Sequence, residues 1–97
     1  MKQGSVGVEL LFTIKDESGQ PVDLTTALEA RLIMSLNGVR VERLCSFADR
    51  AGGVVKYVAT GEDFASPGVL LMELEVRFAD GRVLVSELIK DKVEGRL

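Results

Sequence analysis

Leu70-Leu71-Met72-Glu73-Leu74-Glu75-Val76-Arg77-Phe78, followed at once by Ala79-Asp80-Gly81, decides the fold. Leu70, Met72, Leu74, Val76 and Phe78 occupy every second position, with Leu71, Glu73, Glu75 and Arg77 between them. Successive side chains of a strand point to opposite faces, so a period of two makes a strand with one apolar face. A helix would scatter the same five residues around its circumference. Asp80-Gly81 tolerates positive φ and predicts a two-residue hairpin turn, with a returning strand over 82–90. In that strand Val83, Val85 and Ile89 are expected on one face, with Leu84, Ser86 and Leu88 on the other.

The same period recurs upstream. Val6, Val8, Leu10, Phe12 and Ile14 alternate with Gly7, Glu9, Leu11, Thr13 and Lys15, and the turn-forming run Asp16-Glu17-Ser18-Gly19-Gln20-Pro21 closes this first strand. Segment 22–28 reads either as one helical turn capped by Asp23 or Thr25, or as an irregular crossing with Leu24 and Leu28 pinned into the core; the crossing is favoured. A second strand is expected over 29–37, with Ala30, Leu32, Met34 and Leu36 in step. Asn37-Gly38 predicts a type I′ hairpin. The third strand, 39–47, puts Val39, Val41, Arg43, Cys45 and Phe47 on one face and Leu44 on the other, a pattern that suits a bulge or an edge position. A loop over 48–53 and a short strand over 54–60 follow. Segment 61–68 reads as one helical turn ended by Pro67-Gly68, with Thr60 and Asp63 as a loose capping pair and Phe64 plugging the core. Six or seven short strands with two hairpin dipeptides predict an all-β, antiparallel immunoglobulin-like sandwich. It forms a single domain over 1–97, with its core at about 6–90 and a charged tail over 91–97 expected to fray.

Composition narrows the function classes. A chain of 97 residues supports one domain and hides roughly 60–65% of its unfolded surface. An apolar share of 46% with 28% charged residues is a globular balance. Lys plus Arg is 12 and Asp plus Glu is 15, a net charge of −3, so there is no basic footprint for nucleic acid. The longest apolar run, Val69-Leu70-Leu71-Met72, is far short of the roughly 20 residues of a spanning helix, so no membrane partner is expected. With no Trp and one Cys, the sandwich must rest on aliphatic packing rather than an antibody-type core. The lone Cys45 suits folding in a reducing cytoplasm.

The residues offer little chemistry. There is no His to activate any Ser or Cys45 as a nucleophile, so no enzyme activity is expected. Glu73 and Glu75 share a strand face at roughly 6.5–7 Å, but paired charges are what a solvated strand face ordinarily carries. The turn acids Asp16-Glu17, Glu62-Asp63 and Asp80 match no calcium-loop spacing, and no metal or other cofactor is expected. A carbohydrate- or cell-surface-binding sandwich, with calcium held where loops converge, is the alternative, and the small number of aromatics speaks against it. One feature points to association. The outer faces carry Leu11, Ile33, Leu44, Leu71, Leu84 and Leu88, six residues that would make one docking or self-association patch if their strands lie side by side.

The order of turns carries a resemblance. Asp16-Glu17-Ser18-Gly19-Gln20-Pro21-Val22-Asp23-Leu24-Thr25, then Gly53-Val54-Val55-Lys56-Tyr57-Val58-Ala59-Thr60-Gly61-Glu62-Asp63-Phe64, then Pro67-Gly68 leading through Glu73-Leu74-Glu75-Val76 to Asp80-Gly81, resembles the N-terminal domain of phage baseplate upper proteins. The resemblance spans about 6–89. It implies an immunoglobulin-like domain of a tail or baseplate structural protein, with no catalysis. Its partners would be other virion or tail structural proteins or further copies of itself. It would be made in the bacterial cytoplasm and carried in the virion. That family continues into a long C-terminal region that the sequence to Leu97 does not include. A stand-alone tail, neck or accessory protein and a prophage remnant both stay open.

Overall fold

In the computed structural model, which describes residues 1–96, the alternating stretches become eight strands. They are β1 (Glu9–Thr13), β2 (Ala27–Leu36), β3 (Val39–Leu44), β4 (Ser46–Asp49), β5 (Val54–Val58), β6 (Gly68–Phe78), β7 (Val83–Val85) and β8 (Ile89–Val93). All named pairings are antiparallel. β1, β5 and β4 form one sheet in that order. The other sheet runs β3, β2, β6, and then β7 and β8 lie end to end along the far side of β6. Ile14, Val55 and Tyr57 from the first sheet and its flank join Leu32, Met34, Leu70, Leu74 and Val76 from the second in one buried cluster. Two sheets thus enclose a single apolar core, an arrangement of sandwich type. No helix occurs among the described residues.

The long third strand is in fact two. β3 belongs to the five-stranded sheet and β4 to the three-stranded one, and the chain changes sheet at Cys45, whose N–H still donates to Ala30 of β2 at 2.9 Å. Residues 61–66 form turns rather than a helical turn. Phe64 is nevertheless fully buried, and the Asp63 carboxylate does accept the Thr60 N–H at 2.8 Å. Segment 22–28 is a crossing. Leu24 is buried, but Leu28 is exposed, because a bulge between Ala27 and Glu29 adds one residue and turns Leu28 outward. Arg50 anchors the crossing. Its guanidinium donates to the carbonyls of Leu24 and Ala27 at 3.2 and 2.8 Å and lies 3.9 Å from the centre of the Phe47 ring. Val6 and Val8 are exposed: the left-handed backbone at Gly7 (φ 74°) interrupts the alternation before β1 begins.

The Asn37-Gly38 hairpin has two turn residues, both at positive φ (52° and 82°), as a type I′ turn requires. The Asp80-Gly81 hairpin departs from expectation. The Phe78 N–H bonds to the Arg82 carbonyl, so the loop holds three residues, with Gly81 at φ 91°. One extra turn residue moves every following side chain to the opposite face. Leu84 therefore sits opposite buried Val76 and faces the core, while Val83 and Val85 sit opposite Arg77 and Glu75 and are more than half exposed. A second irregularity restores the phase. Glu75 faces Val85, but Met72 faces Ile89, so the returning strand spends four steps where β6 spends three. The Ser86 hydroxyl fills the break by accepting the Leu74 N–H at 2.9 Å. Ile89 returns to the core and Leu88 is left exposed. The expected fraying of 91–97 does not apply to its first half. Asp91–Val93 pair with β6, Val93 is buried, and Glu94 exchanges backbone hydrogen bonds with Met1 and Gln3. Leu97 lies outside the described residues.

Candidate functional site

The six outer-face residues do not form one patch. Leu44, Ile33 and Leu71 lie on a diagonal across β3, β2 and β6, because Leu44 sits opposite Arg31, Ile33 opposite Glu42 and Glu73, and Leu71 opposite Ser35. Charges interrupt that diagonal. Arg31 pairs with Glu29 and, at 3.9 Å, with Glu42; Arg40 reaches Glu42 at 3.3 Å; Arg77 reaches Glu75 at 3.0 Å. This face is a mixed ion-pair lattice, as expected of a solvated sheet surface. Leu11 is on the other sheet, opposite Lys56. Leu84 is turned inward by the three-residue loop, and Leu88 stands alone in the bulge.

Leu11 and Leu84 do meet at a different feature, the open side of the sandwich. On one side the two sheets are joined by the chain itself, which passes from β3 to β4 at Cys45. A cleft of about 240 Å³ on that side, between β3 and the 61–66 turn, is spanned by the Arg43–Asp63 ion pair at 3.0 Å. On the other side the edges are β1 and the β7–β8 line, and no strand among the described residues joins them. Met1 and Gln3 bond to Glu94, Gly4 to Phe64 and Gly7 to Ala59, so the N-terminal segment bridges the sheets at one end only. Beyond it a groove of about 790 Å³ lies open. Phe12, Val22, Leu74, Leu84 and Ile89 line its floor, while Lys15, Asp16, Glu17 and Glu87 stand along it.

Among the described residues, no strand pairs with the outer edge of β1 beside this groove. Ile14 donates to Gly53 and Ala59 to Val8, which sets the phase of the β1–β5 ladder: even-numbered residues of β1 bond toward β5. By the alternation of an antiparallel ladder, Glu9, Leu11 and Thr13 aim their N–H and C=O groups away from β5, at the free edge. Among the charged groups beside the groove, Asp16 is held in place. Asp16 Oδ1 accepts from the Ser18 hydroxyl at 2.7 Å and from the Ser18 and Gln20 N–H groups at 3.0 Å each. These bonds, the Ser18 hydroxyl foremost, hold the Asp16 carboxyl below its ordinary range, so it is anionic at neutral pH.

The buried polar cluster elsewhere is saturated. Asp63 accepts from Tyr57 Oη, from the N–H and hydroxyl of Thr60, and from Arg43 Nε. Among the described residues every buried side-chain N or O has a partner, and no group of three or more His, Cys, Asp and Glu is placed to hold a metal ion. Burial pushes the half-buried Cys45 thiol up to about 11, the direction opposite to activation. Glu73 faces outward beside Ile33, and Glu75 is held by Arg77. What the structure assembles is a groove beside the open edge of β1, and it was illegible from strand alternation because its walls come from different sheets. Comparison with protein-family models, curated proteins and solved structures gave no match.

Proposed function

We propose that this chain is a non-catalytic, immunoglobulin-like docking module of a phage or prophage tail or baseplate structural protein, made in the bacterial cytoplasm and carried in the particle, where it binds other structural polypeptides. The observation that carries the docking part is the open side of the sandwich, where an apolar groove of about 790 Å³ lies against the unpaired edge of β1. Exposed strand edges are templates for pairing with another chain, and proteins that keep one open commonly use it for recognition. The particle assignment is supported by the order of turn motifs, which resembles that of baseplate upper proteins.

The test is reconstitution with the products of the genes that flank this one. Tail or baseplate genes are expected there, and sedimentation velocity should show a complex of defined stoichiometry between this chain and at least one of those products. A chain that sediments as a free monomer in every mixture, beside genes for unrelated metabolism, would overturn the reading.

A further inference from the structure

We infer that the groove between β1 and β7 takes an extended segment of a partner polypeptide, added as a strand beside β1, apolar at alternate positions and basic where it passes Asp16, Glu17 and Glu87. This rests on the docking reading above and names the occupant of its site. The backbone makes the first argument. Leu11 and Thr13 present outward N–H and C=O groups along an unbroken five-residue strand, so an added strand can continue the ladder. The opposite edge is a poorer template, since β7 has three residues and ends in the Ser86–Leu88 bulge.

The side chains make the second argument. A strand added beside β1 points every second residue into the space between the sheets, where Phe12, Leu84 and Ile89 are only partly buried and buried Leu74 lies beneath them. A second copy of this chain does not meet that need. Its own β1 has Leu10 and Phe12 packed against its own core, so β1-to-β1 pairing would lengthen the sheet and leave the groove unfilled. The occupant must bring side chains that are not already committed to a core, which a free extended segment does.

Charge makes the third. Asp16, Glu17 and Glu87 stand along the groove against one Lys15, and this excess of negative charge selects a basic flank on the incoming strand.

The experiment titrates the whole chain with a synthetic peptide of about nine residues, two Lys followed by alternating Val and Thr, and reads calorimetry and backbone-amide NMR shifts. Shifts are expected at Leu11, Thr13, Leu84 and Ser86. Leu11→Pro removes an outward N–H that β5 does not use, so it should weaken binding by at least about tenfold, the value of one good hydrogen bond, while Leu44→Ala, at an exposed position of β3 away from the groove, should change it little. Joint Glu17→Lys and Glu87→Lys should weaken the Lys peptide by about tenfold and strengthen a Glu-Glu version of it. If Leu11→Pro fails to fold, a peptide N-methylated at alternate amides poses the same question to the unaltered chain. Failure to bind overturns the inference. So do shifts confined to the outer face of the five-stranded sheet, indifference to Leu11→Pro and to N-methylation, or a peptide-independent dimer through β1. If the chain assembles with its genomic neighbours and Leu11→Pro leaves that assembly intact, the groove assignment fails while the docking reading stands; if no assembly forms, the docking reading fails and the peptide titration judges the groove alone.

Discussion

Asp63 holds the 61–66 turn to both sheets. Its side chain has no exposed surface, and its four donors come from β3, β5 and Thr60 just before the turn. Burial pushes its pKa up, but the hydrogen bonds from Tyr57, Thr60 and Arg43 outweigh burial and hold the carboxyl below the usual carboxylate range. Asp63→Ala strands a Tyr57 hydroxyl, a Thr60 N–H and the Arg43 charge together, and should cost about 3 kcal/mol in denaturant unfolding. The pH dependence follows from the same bonds. With the folded pKa below the unfolded one, the unfolded chain binds more protons as pH falls through about 4, so this contribution is complete above that pH and is lost below it. The gap in melting temperature between the parent and Asp63→Asn should therefore be wide at pH 7 and narrower at pH 3. An equal gap at both would show that the carboxylate is not the anchoring species. Cys45 gives a second check at this scale. With its thiol raised to about 11 by burial, alkylation by iodoacetamide at pH 8 should be slow in the native chain and fast in denaturant.

At the scale of elements, the returning edge of the five-stranded sheet is governed by two single-residue irregularities that compensate. The three-residue loop after Phe78 throws β7 out of phase, and the break at 86–88 brings β8 back, so that Leu84, Ile89 and Val93 all reach the core side. Ser86 is the hinge of this correction, because its hydroxyl replaces a missing backbone acceptor for the Leu74 N–H. Ser86→Ala should cost about 1–2 kcal/mol, the penalty for a part-buried amide left unpaired, and its largest amide shift should fall on Leu74. A shift confined to residue 86 and its chain neighbours would mean that the hydroxyl is incidental. The alternation along 70–78 is plain in the sequence. The slip in β7 is not, because Asp80-Gly81 fits a two-residue turn as well as a three-residue one, and only the pairing of Phe78 with Arg82 decides between them.

For the molecule as a whole, stability and openness are divided between the strands. β2 and β6 are paired on both sides and bury Leu32, Met34, Leu70, Leu74 and Val76, while β1 is paired on one side only. Hydrogen exchange should follow that division, with the amide of Leu32 among the slowest and those of Leu11 and Thr13 close to unstructured rates, far faster than the intervening Phe12. Protection of Leu11 equal to that of Phe12 would mean that the β1 edge is already covered. The sequence alone determined the all-β class, most of the strands, the Asn37-Gly38 turn and many of the core positions, because these are properties of neighbours a few residues apart: side-chain alternation, φ preference and residue type. Tertiary structure alone decided that the third strand divides between sheets at Cys45, that Leu84 turns inward, that Arg50 clamps the crossing, and that β1 and β7 flank an open groove. Each of these depends on pairing register and on edges brought together from distant parts of the chain, and a period of two is the same for a strand whichever neighbour it meets.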